Sequence, residues 1–498
     1  MNVNPITRLD YPDPDVIRVE DTYYMVSTTM HFMPGCEILQ SFDLVHWEHA
    51  TYVYETLDHT DAQQLKSGQN IYGQGMWAAS LRYHEGRFCI CFVANDTRKT
   101  YLYTSEKIDG PWKKQLIEGF YHDGSLLFDE DGRNYIVYGN DEIWITELNE
   151  DLTAPKKDGL HRLLVSDHKN PELGYEGSHI QKINGYYYIF LVHSLRDRWM
   201  RTEACFYSDS LEGEFTGGDV LCDDRGYCGQ GVAQGGIVDT PDGKWYAMLF
   251  QDSGAVGRIP ILVPVTWKDH FPVFGQNGHV PEEIEVHSTR PGYIYQPLVG
   301  SDDFCNGLLP RWQFNHDPDP RYYHLDALQG TYTITTREVC TELTQAVNTL
   351  TQRMSYPSCA AEVTVDASAL KEGDVAGLCA LQSCYAAVGI TKHHGKYEVL
   401  MLDKKEDGIL DMTEGTVVES HQMDFRLEAD FCNMKDEARC YYRVNKGDWL
   451  PIGTVHKLYF KLDHFTGCRF GLFCYAAEET GGSACFRDFK YYDVDEIS

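Results

Sequence analysis

The sequence has no long apolar segment. No run of about 18 consecutive apolar residues occurs among its 498 positions, so we predict no membrane-spanning helix. The first residues, MNVNPITRLDYPDPDV, lack the basic stretch and following apolar run that a secretory signal requires. These two absences favour a cytoplasmic protein over a secreted or membrane-bound one.

Basic residues are scarce. The chain has 43 Lys and Arg against 75 Asp and Glu, which gives a formal net charge of −32 at pH 7. A field of that sign repels phosphate backbones and anionic lipid headgroups. We therefore expect neither nucleic acid nor a membrane surface as a partner, whereas a neutral substrate is compatible with the charge.

The 16 cysteines show no metal-binding spacing. No Cys-x-x-Cys pair is present, so the sequence offers no zinc site of the usual kind. Several cysteines, such as Cys89, Cys91, Cys379 and Cys474, lie inside apolar runs. Buried free thiols are typical of proteins from a reducing compartment, which again favours the cytoplasm.

No helical pattern of useful length interrupts the first three hundred residues, which instead contain a fivefold repeat. Each copy has small or acidic residues, an apolar strand, a turn and an aromatic-rich strand; the copies begin at Asp13, Ala78, Asp123, Glu176 and Gln234. Four of the five turns contain the Gly that tight hairpins favour. The aromatic residue after each turn recurs every 47 to 65 residues. A period of about 50 residues with about four strands predicts one blade per copy, and therefore a five-bladed β-propeller.

Three of the five copies begin with a carboxylate. Because the inner strands of a propeller converge on its axis, Asp13, Asp123 and Glu176 are predicted to meet around one central pocket. Convergent carboxylates in a concave site are the arrangement used for acid–base cleavage of a glycosidic bond. A purely structural repeat would account for the hairpins but not for acidic residues at equivalent positions.

These segments resemble glycoside hydrolase family 43, and the resemblance covers nearly the whole chain. YPDPDVIRVEDTYYMVSTT is similar to the segment with the family's general base, which implies that role for Asp13. YEGSHIQKINGYYYIF is similar to the segment with the general acid, which implies that role for Glu176. HDGSLLFDEDG resembles the segment with a third carboxylate, so Asp123 is expected to orient the acid and raise its pKa.

The same resemblance implies which residues surround the sugar. GQGMWAASLRY matches a segment that provides an aromatic wall, here Trp77, and GRIPILVPVTWKDHFPVFG matches a strand with a substrate-facing arginine, here Arg258. His31 and Phe32 lie in the loop after the first hairpin, which borders the pocket in the family. Where many members have a channel His that holds calcium or water, this chain has Gln234, a weak substitute. We expect no metal and no other cofactor; calcium in the propeller channel is the disfavoured alternative.

A second domain is predicted after residue 300. The propeller pattern stops near residue 281, and PEEIEVHSTRPGYIYQPLVGSDDF is typical of a linker. Eight or more short alternating segments follow, such as AAEVTVDA and FGLFCYA, with no helical pattern between them. This favours a β-sandwich, and the resemblance implies a concanavalin-like one. We expect residues 1–300 to form the catalytic propeller, and residues 301–498 to form an accessory sandwich that supports it and helps to close the pocket.

The patterns predict an all-β protein, and the resemblance implies an enzyme that releases terminal xylose or arabinofuranose from xylan-derived oligosaccharides. The resemblance implies an inverting, exo-acting reaction on a small oligosaccharide; the choice of pentose and a homo-oligomeric state stay open. One alternative is a non-catalytic carbohydrate-binding propeller, which would need no particular set of carboxylates. Another is a retaining five-bladed glycosidase, such as a sucrose-acting enzyme. The Glu-Gly-Ser-His and Gly-Arg-Ile-Pro segments favour family 43 over the second alternative.

Overall fold

The computed structural model describes residues 3–493 and confirms the predicted all-β fold. Within that range, helical structure is limited to four single 3-10 turns at Lys66–Gly68, Gly254–Val256, Leu343–Gln345 and Cys432–Met434. None of the helices in the described part of the chain has the length and apolar character needed to span a membrane. The strands form a five-bladed propeller and a two-sheet sandwich, as predicted.

Blades one and two are four-stranded antiparallel sheets whose strands follow chain order outward from the axis. Blade one contains β1 (Asp15–Val19), β2 (Thr22–Val26), β4 (Gly35–Ser41) and β5 (Glu48–Tyr54); the intervening β3 (Phe32–Met33) belongs to a sheet of the second domain. Blade two contains β6 (Met76–His84), β7 (Arg87–Ala94), β8 (Lys99–Ser105) and β9 (Lys113–Ile117).

Blades three to five repeat this arrangement. Blade three contains β10 (Ser125–Phe128), β11 (Asn134–Asn140), β12 (Glu142–Leu148) and β13 (His161–Ser166). Blade four contains β14 (Glu176–Ile183), β15 (Tyr186–Ser194), β16 (Arg201–Ser208) and β17 (Thr216–Leu221). In blade five, β18 (Val232–Ala233) and β19 (Ile237–Asp239) both pair with β20 (Trp245–Asp252), and the sheet is completed by β21 (Arg258–Lys268) and β22 (Phe271–Phe274).

The five predicted hairpins are the inner strand pairs of the blades. In three of them the register leaves a two-residue turn, because Val19 pairs with Thr22, His84 with Arg87, and Ile183 with Tyr186. The turn Asn184-Gly185 has positive φ at both positions, 50° and 84°. Glycine adopts this conformation without strain, which is why tight hairpin turns favour it.

A repeated hydrogen bond fixes the inner strand of one blade to the next. Side-chain oxygens in blades one, two and three accept a backbone N–H from the following blade; the pairs are Asp15 with Leu81 at 2.7 Å, Ser80 with Leu126 at 3.1 Å, and Ser125 with Ile180 at 3.0 Å. The guanidinium of Arg82 donates to Asp15, to Ser125 and to the carbonyl oxygens of Leu126 and Ile180. Arg82 therefore joins four blades and lies at the propeller axis.

The N-terminal segment closes the ring of blades. Asn4 exchanges two hydrogen bonds of 2.8 Å with the backbone of Leu262 on β21. The N–H of Ile6 donates to the carbonyl oxygen of Pro260 at 2.9 Å on the same strand. Blade five is thereby joined to the residues that lead into blade one.

Two antiparallel sheets form the second domain. The first runs in the order β3, β23 (Gln313–Asn315), β26 (Leu350–Arg353), β36 (Arg469–Tyr475), β28 (Val375–Leu381), β29 (Ala386–His393), β30 (Lys396–Lys404) and β31 (Leu410–Met412), with β32 (Thr416–Val418) also paired to β30. The second runs in the order β24 (Tyr323–Asp326), β25 (Thr331–Thr335), β37 (Ser483–Asp493), β27 (Ser358–Asp366), β33 (Gln422–Asp430), β34 (Glu437–Arg443) and β35 (Leu450–Lys457).

The two domains share a sheet and a core. The first sheet takes β3 from blade one, where Met33 pairs with Phe314 and Phe32 with Asn315. The apolar core of the sandwich includes Val256 and Ile259 of blade five, which are 0% and 1% exposed. Complete burial of side chains of this size stabilises the fold by roughly 1.5–3 kcal/mol each. The sandwich therefore packs directly on the strands that lead into the axial site.

Candidate active site

The inner strands of three blades present carboxylates to the propeller axis. Asp13 and Asp123 come two residues before β1 and β10, and Glu176 is the first residue of β14. Asp13 and Asp123 have positive φ angles of 52° and 48°, a conformation that costs on the order of 1–3 kcal/mol. Positive φ recurs at Gly177 (65°) and Gln234 (66°) in blades four and five. The chain therefore makes a left-handed turn beside the axis in four of the five blades.

These turns surround a cavity of about 650 Å³. Six of the eight residues that the sequence assigned to the site line it: Asp13, Trp77, Asp123, Glu176, Gln234 and Arg258. The propeller adds residues that the sequence analysis did not single out, among them His122, Asn140, Leu173, Trp199, Arg201 and Asp252. The sandwich adds Met434, Phe460, Leu462 and Phe465. Both domains therefore build the pocket.

The carboxylate of Asp13 is held by three donors. Its Oδ2 accepts a hydrogen bond from the hydroxyl of Thr28 at 2.6 Å. Its Oδ1 accepts from Nε2 of Gln234 at 3.0 Å and from Nη1 of Arg258 at 3.1 Å. All three groups donate to the carboxylate, which suits an acceptor fixed in one orientation.

Asp123 and Glu176 lie on either side of His122. Nε2 of His122 is 3.6 Å from Oδ2 of Asp123 and 3.6 Å from Oε2 of Glu176. Oδ2 of Asp123 also accepts the backbone N–H of Gly177 at 3.0 Å, and Oε2 of Glu176 accepts from Nδ2 of Asn140 at 2.7 Å. Asp123 is thus bonded to the residue that follows Glu176, which fixes the two carboxylates relative to each other.

These three groups hold protons unequally. The negative charges of Asp123 and Glu176 raise the pKa of His122 to about 9. Burial, together with the charges of Glu176 and Asp13, raises the pKa of Asp123 to about 6. Burial alone would raise the pKa of Glu176, but His122 and the arginines of the pocket outweigh it and lower that pKa below its ordinary value. Three cations surround Glu176 and outweigh the charge of Asp123, so the raised pKa of this pair belongs to Asp123, and the role of Asp123 in modulating the pKa of Glu176 stays a prediction.

Two arginines approach Glu176 from blades four and five and share one carboxylate. Nε of Arg201 donates to Oδ2 of Asp252 at 2.9 Å, and Nε of Arg258 is 3.3 Å from Oδ1 of Asp252. Nη1 of Arg201 is buried and has no hydrogen-bond partner among the residues that the structure describes. Arg201 therefore offers a donor that a hydroxyl of a bound sugar could satisfy.

One wall of the pocket comes from residues 458–468 of the sandwich, which connect β35 to β36 and which we name the Phe465 loop. The ring of Phe465 lies 5.7 Å from that of Trp77. Phe460 and Leu462 belong to the same wall, and Leu462 is 75% exposed at the mouth of the pocket. The second domain therefore contributes to the pocket directly, as expected from the sequence.

His31 and Phe32 lie outside this cavity, contrary to the prediction. Both are buried between the domains, with 0% and 1% exposure. Phe32 is part of β3, and the imidazole of His31 packs against the rings of Tyr72, His316 and His464. The loop after the first hairpin pairs with β23, a long-range contact that the loop sequence does not reveal. Met30 lines the cavity instead.

The described residues contain one cluster with metal-ligand spacing, formed by His122, Asp123 and Glu176, whose ligand atoms lie within 4.8 Å of one another. The imidazole nitrogen lies 3.6 Å from both carboxylates and occupies the space between them, whereas calcium is bound by oxygen ligands. On the axis, Arg82 carries a fixed positive charge, and the amide nitrogen of Gln234 faces Asp13. These residues do not fit a calcium ion in the channel.

The sequence analysis missed several site residues, and only some of them carry a sequence signal that could have identified them. His122 directly precedes Asp123, and its place beside an axial carboxylate is a signal that could have indicated it. Asn140 ends β11 and Arg201 begins β16, positions at which the repeat carries no distinguishing residue. The Phe465 loop lies far along the chain from the propeller, and no periodicity connects the two.

Fold and site together define a class of protein, because a propeller with three carboxylates in an axial pocket has the architecture of a glycoside hydrolase. A family model described as glycosyl hydrolases family 43 matches residues 3–272. A model described as the beta xylosidase C-terminal concanavalin A-like domain matches residues 301–492. The chain belongs to glycoside hydrolase family 43 and is an enzyme, as predicted.

Related proteins align with the whole chain. A beta-xylosidase of Formosa agariphila is 26% identical over 99% of this chain and 89% of its own length. A solved structure of a bifunctional GH43-CE protein from Bacteroides eggerthii is 42% identical, with a TM-score of 0.92; the match covers 100% of this chain but 64% of that one. A GH43 glycoside hydrolase engineered to display both endo-xylanase and exo-arabinofuranosidase activity is 27% identical, with a TM-score of 0.86 and 99% of each chain covered.

Proposed function

We propose that the protein removes terminal xylose or arabinofuranose from short xylan-derived oligosaccharides with inversion at the anomeric carbon. The observation that carries this proposal is the convergence of Asp13, Asp123 and Glu176, from three blades, on one pocket that the second domain narrows. The names of the related proteins, a beta-xylosidase and an enzyme with exo-arabinofuranosidase activity, support a pentose as the released sugar.

Asp13 is the general base of the proposed reaction. Its carboxylate takes a proton from a water molecule as that water attacks the anomeric carbon. The hydrogen bonds from Thr28, Gln234 and Arg258 support this role because they hold the carboxylate in one orientation. The bond from carbon to the water oxygen forms as the glycosidic bond breaks.

Glu176 is the general acid, which passes its proton to the departing glycosidic oxygen. Asp123 and Glu176 act as a coupled pair, and the raised pKa of Asp123, about 6, supports retention of one proton by the pair in mildly acidic solution. A bound sugar displaces water from Glu176, and this desolvation favours the protonated form of that carboxyl. The proton then lies on the group next to the leaving oxygen.

The lining of the pocket supports an exo mode of action on a small sugar. The rings of Trp77 and Phe465 provide apolar faces, while Asn140 and Arg201 provide donors beside Glu176. Walls from two domains leave room for a chain end rather than for a polymer passing through. We propose that the reaction needs no metal or other cofactor, since the residues present do not fit one. The sixteen unpaired cysteines support a cytoplasmic location.

The proposal is tested by nitrophenol release from nitrophenyl β-D-xyloside and nitrophenyl α-L-arabinofuranoside, measured side by side. Wild-type protein should cleave at least one of them, with and without a chelator, and should leave sucrose intact. Asp13→Asn and Glu176→Gln should each lose on the order of 10²–10⁴ in kcat. The exposed Asp109→Asn is the matched control and should behave as wild type. Inert wild-type protein, or full activity in either pocket variant, would refute the proposal.

A further inference from the structure

The carboxylate of Asp10 bridges the two domains next to the pocket. Asp10 is 4% exposed and lies three residues before Asp13. Its Oδ1 accepts the backbone N–H of Arg258, the first residue of β21, at 2.8 Å. Its Oδ2 accepts the backbone N–H of Gly467, in the Phe465 loop, at 2.8 Å. One side chain therefore bonds to the main chain of both domains.

The surrounding backbone fits this carboxylate closely. A Cβ on Gly257 would lie 2.3 Å from Oδ1 of Asp10, and one on Gly467 would lie 2.2 Å from the carbonyl oxygen of Val256. Both distances are shorter than non-bonded atoms allow, so any larger residue would push the segments apart. The N–H of Cys468 donates directly to the carbonyl oxygen of Ala255 at 2.8 Å. The Phe465 loop thus rests on the turn between β20 and β21 (residues 253–257), with Asp10 between them.

The main chain of Asp10 is fixed as well. Its carbonyl oxygen accepts a hydrogen bond from Nε of Arg353, a sandwich residue on β26, at 2.8 Å. The N–H of Tyr11 donates to the carbonyl oxygen of Arg258 at 3.0 Å. The guanidinium of Arg353 also lies 4.0 Å from the ring centroid of Tyr11. Asp10 therefore cannot shift without moving the segment that leads into Asp13.

The two segments that Asp10 joins both contribute a residue to the pocket: Arg258 from the propeller and Phe465 from the Phe465 loop. Arg258 bonds to Asp13 at 3.1 Å, and its guanidinium carbon lies 4.5 Å from the ring centroid of Phe465. We propose that Asp10 is a positioning residue: its carboxylate fixes Arg258 and the Phe465 loop relative to each other, and so assembles the two-domain pocket. The kinetic part of this inference rests on the proposed function, whereas the structural part does not.

The bridge is tested first by amide hydrogen exchange, which does not depend on activity. Asp10→Asn keeps the shape of the side chain but leaves one acceptor oxygen for two N–H donors. Exchange should accelerate at least tenfold both at Arg258 and in the Phe465 loop. The control Tyr52→Phe removes another hydrogen bond between the domains, from the Tyr52 hydroxyl to the carbonyl oxygen of Pro310 at 2.8 Å, and should accelerate neither. Acceleration in one segment alone, or in none, would overturn the bridge.

Kinetics then test the positioning role. Asp10→Asn should lower kcat on the nitrophenyl pentoside at least tenfold, because Arg258 bonds to Asp13 and also lies near Glu176, so its displacement disturbs both carboxylates. A residue needed for stability alone would lower the melting temperature and leave kcat per folded molecule and KM unchanged, and that result would overturn the role. Inactive wild-type protein would refute the proposed function, while hydrogen exchange would still decide the bridge.

A second variant covers the case in which Asp10→Asn does not fold. Gly467→Ala keeps the Asp10 carboxylate in the sequence, but its added Cβ would lie 2.2 Å from the carbonyl oxygen of Val256 and 2.7 Å from Cβ of Asp10, which forces the Phe465 loop away from both. It should reproduce faster exchange in both segments and the loss in kcat. Gly395→Ala is the control: Gly395 has a φ of 72°, so alanine strains the backbone there, but nothing lies within 4 Å of the added Cβ and no contact with the pocket is disturbed. Equal exchange and kinetics in the two glycine variants would overturn the proposal.

Discussion

The guanidinium carbon of Arg258 lies 4.5 Å from the ring centroid of Phe465, so a propeller cation that binds Asp13 rests on an aromatic ring of the sandwich. Residues from both ends of the chain therefore meet beside Asp13 in the axial pocket. Neither domain alone supplies the whole lining. The accessory domain is in this sense part of the active site.

Replacing Phe465 by Ala should lower kcat/KM on the nitrophenyl pentoside by roughly 2- to 30-fold. A cation–π contact is worth ~0.5–2 kcal/mol, and ~1.4 kcal/mol corresponds to a factor of ten. Steady-state kinetics on purified variants measure the effect. Leu328→Ala, at a position 94% exposed on the same domain, is the control and should match wild type. Wild-type kinetics in Phe465→Ala would show that the ring is not part of the site.

Leaving-group dependence should separate Glu176 from Asp13. Both Glu176→Ala and Asp13→Ala should lose on the order of 10²–10⁴ in kcat on the nitrophenyl substrate. A dinitrophenyl leaving group needs little protonation, so it should partly restore Glu176→Ala and leave Asp13→Ala impaired. Equal losses in the two variants with every leaving group would rule out the assignment of acid and base.

His122 should control the pH dependence of the reaction. Its positive charge, present below a pKa of about 9, lowers the pKa of both Glu176 and Asp123. In wild type, activity should decline as the pH rises above about 6, where Asp123 loses its proton. His122→Gln removes the charge, so the pair formed by Asp123 and Glu176 should keep its proton to higher pH. The alkaline limb of the kcat/KM profile should therefore shift to higher pH.

The control for this pH experiment is His84→Gln. His84 stacks on Phe128 away from the pocket, and its replacement should leave the profile unchanged. An alkaline limb that stays in place or moves to lower pH in His122→Gln would contradict the role of the imidazole charge.

Local patterns were enough to predict the fold and the axial carboxylates. Each hairpin is encoded within one stretch of sequence, and equivalence between copies indicated that Asp13, Asp123 and Glu176 converge. Contacts between distant segments were not predictable in this way. The pairing of β3 with β23 moved His31 and Phe32 into the domain interface, and the Phe465 loop entered the pocket from the other domain.

The protonation states of the site residues could not be predicted from the sequence either. The pKa of Glu176 depends on where His122, Arg201 and Arg258 lie in space, and these residues come from three different blades. A motif identifies a carboxylate, but it does not report the sum of the charges around it. For this reason the sequence did not reveal the lowered pKa of Glu176, although the repeat indicated that its side chain lies near the axis.

In the proposed reaction, Asp13 activates a water molecule that attacks the anomeric carbon while Glu176 protonates the leaving oxygen. Proton NMR of the first sugar released from a β-xyloside, recorded before mutarotation, tests it most directly. We predict α-xylose as the initial product, because inversion at the anomeric carbon of a β-xyloside gives the α-anomer. Initial β-xylose would mean retention through a covalent intermediate, and it would contradict the role of Asp13 as the base that activates water.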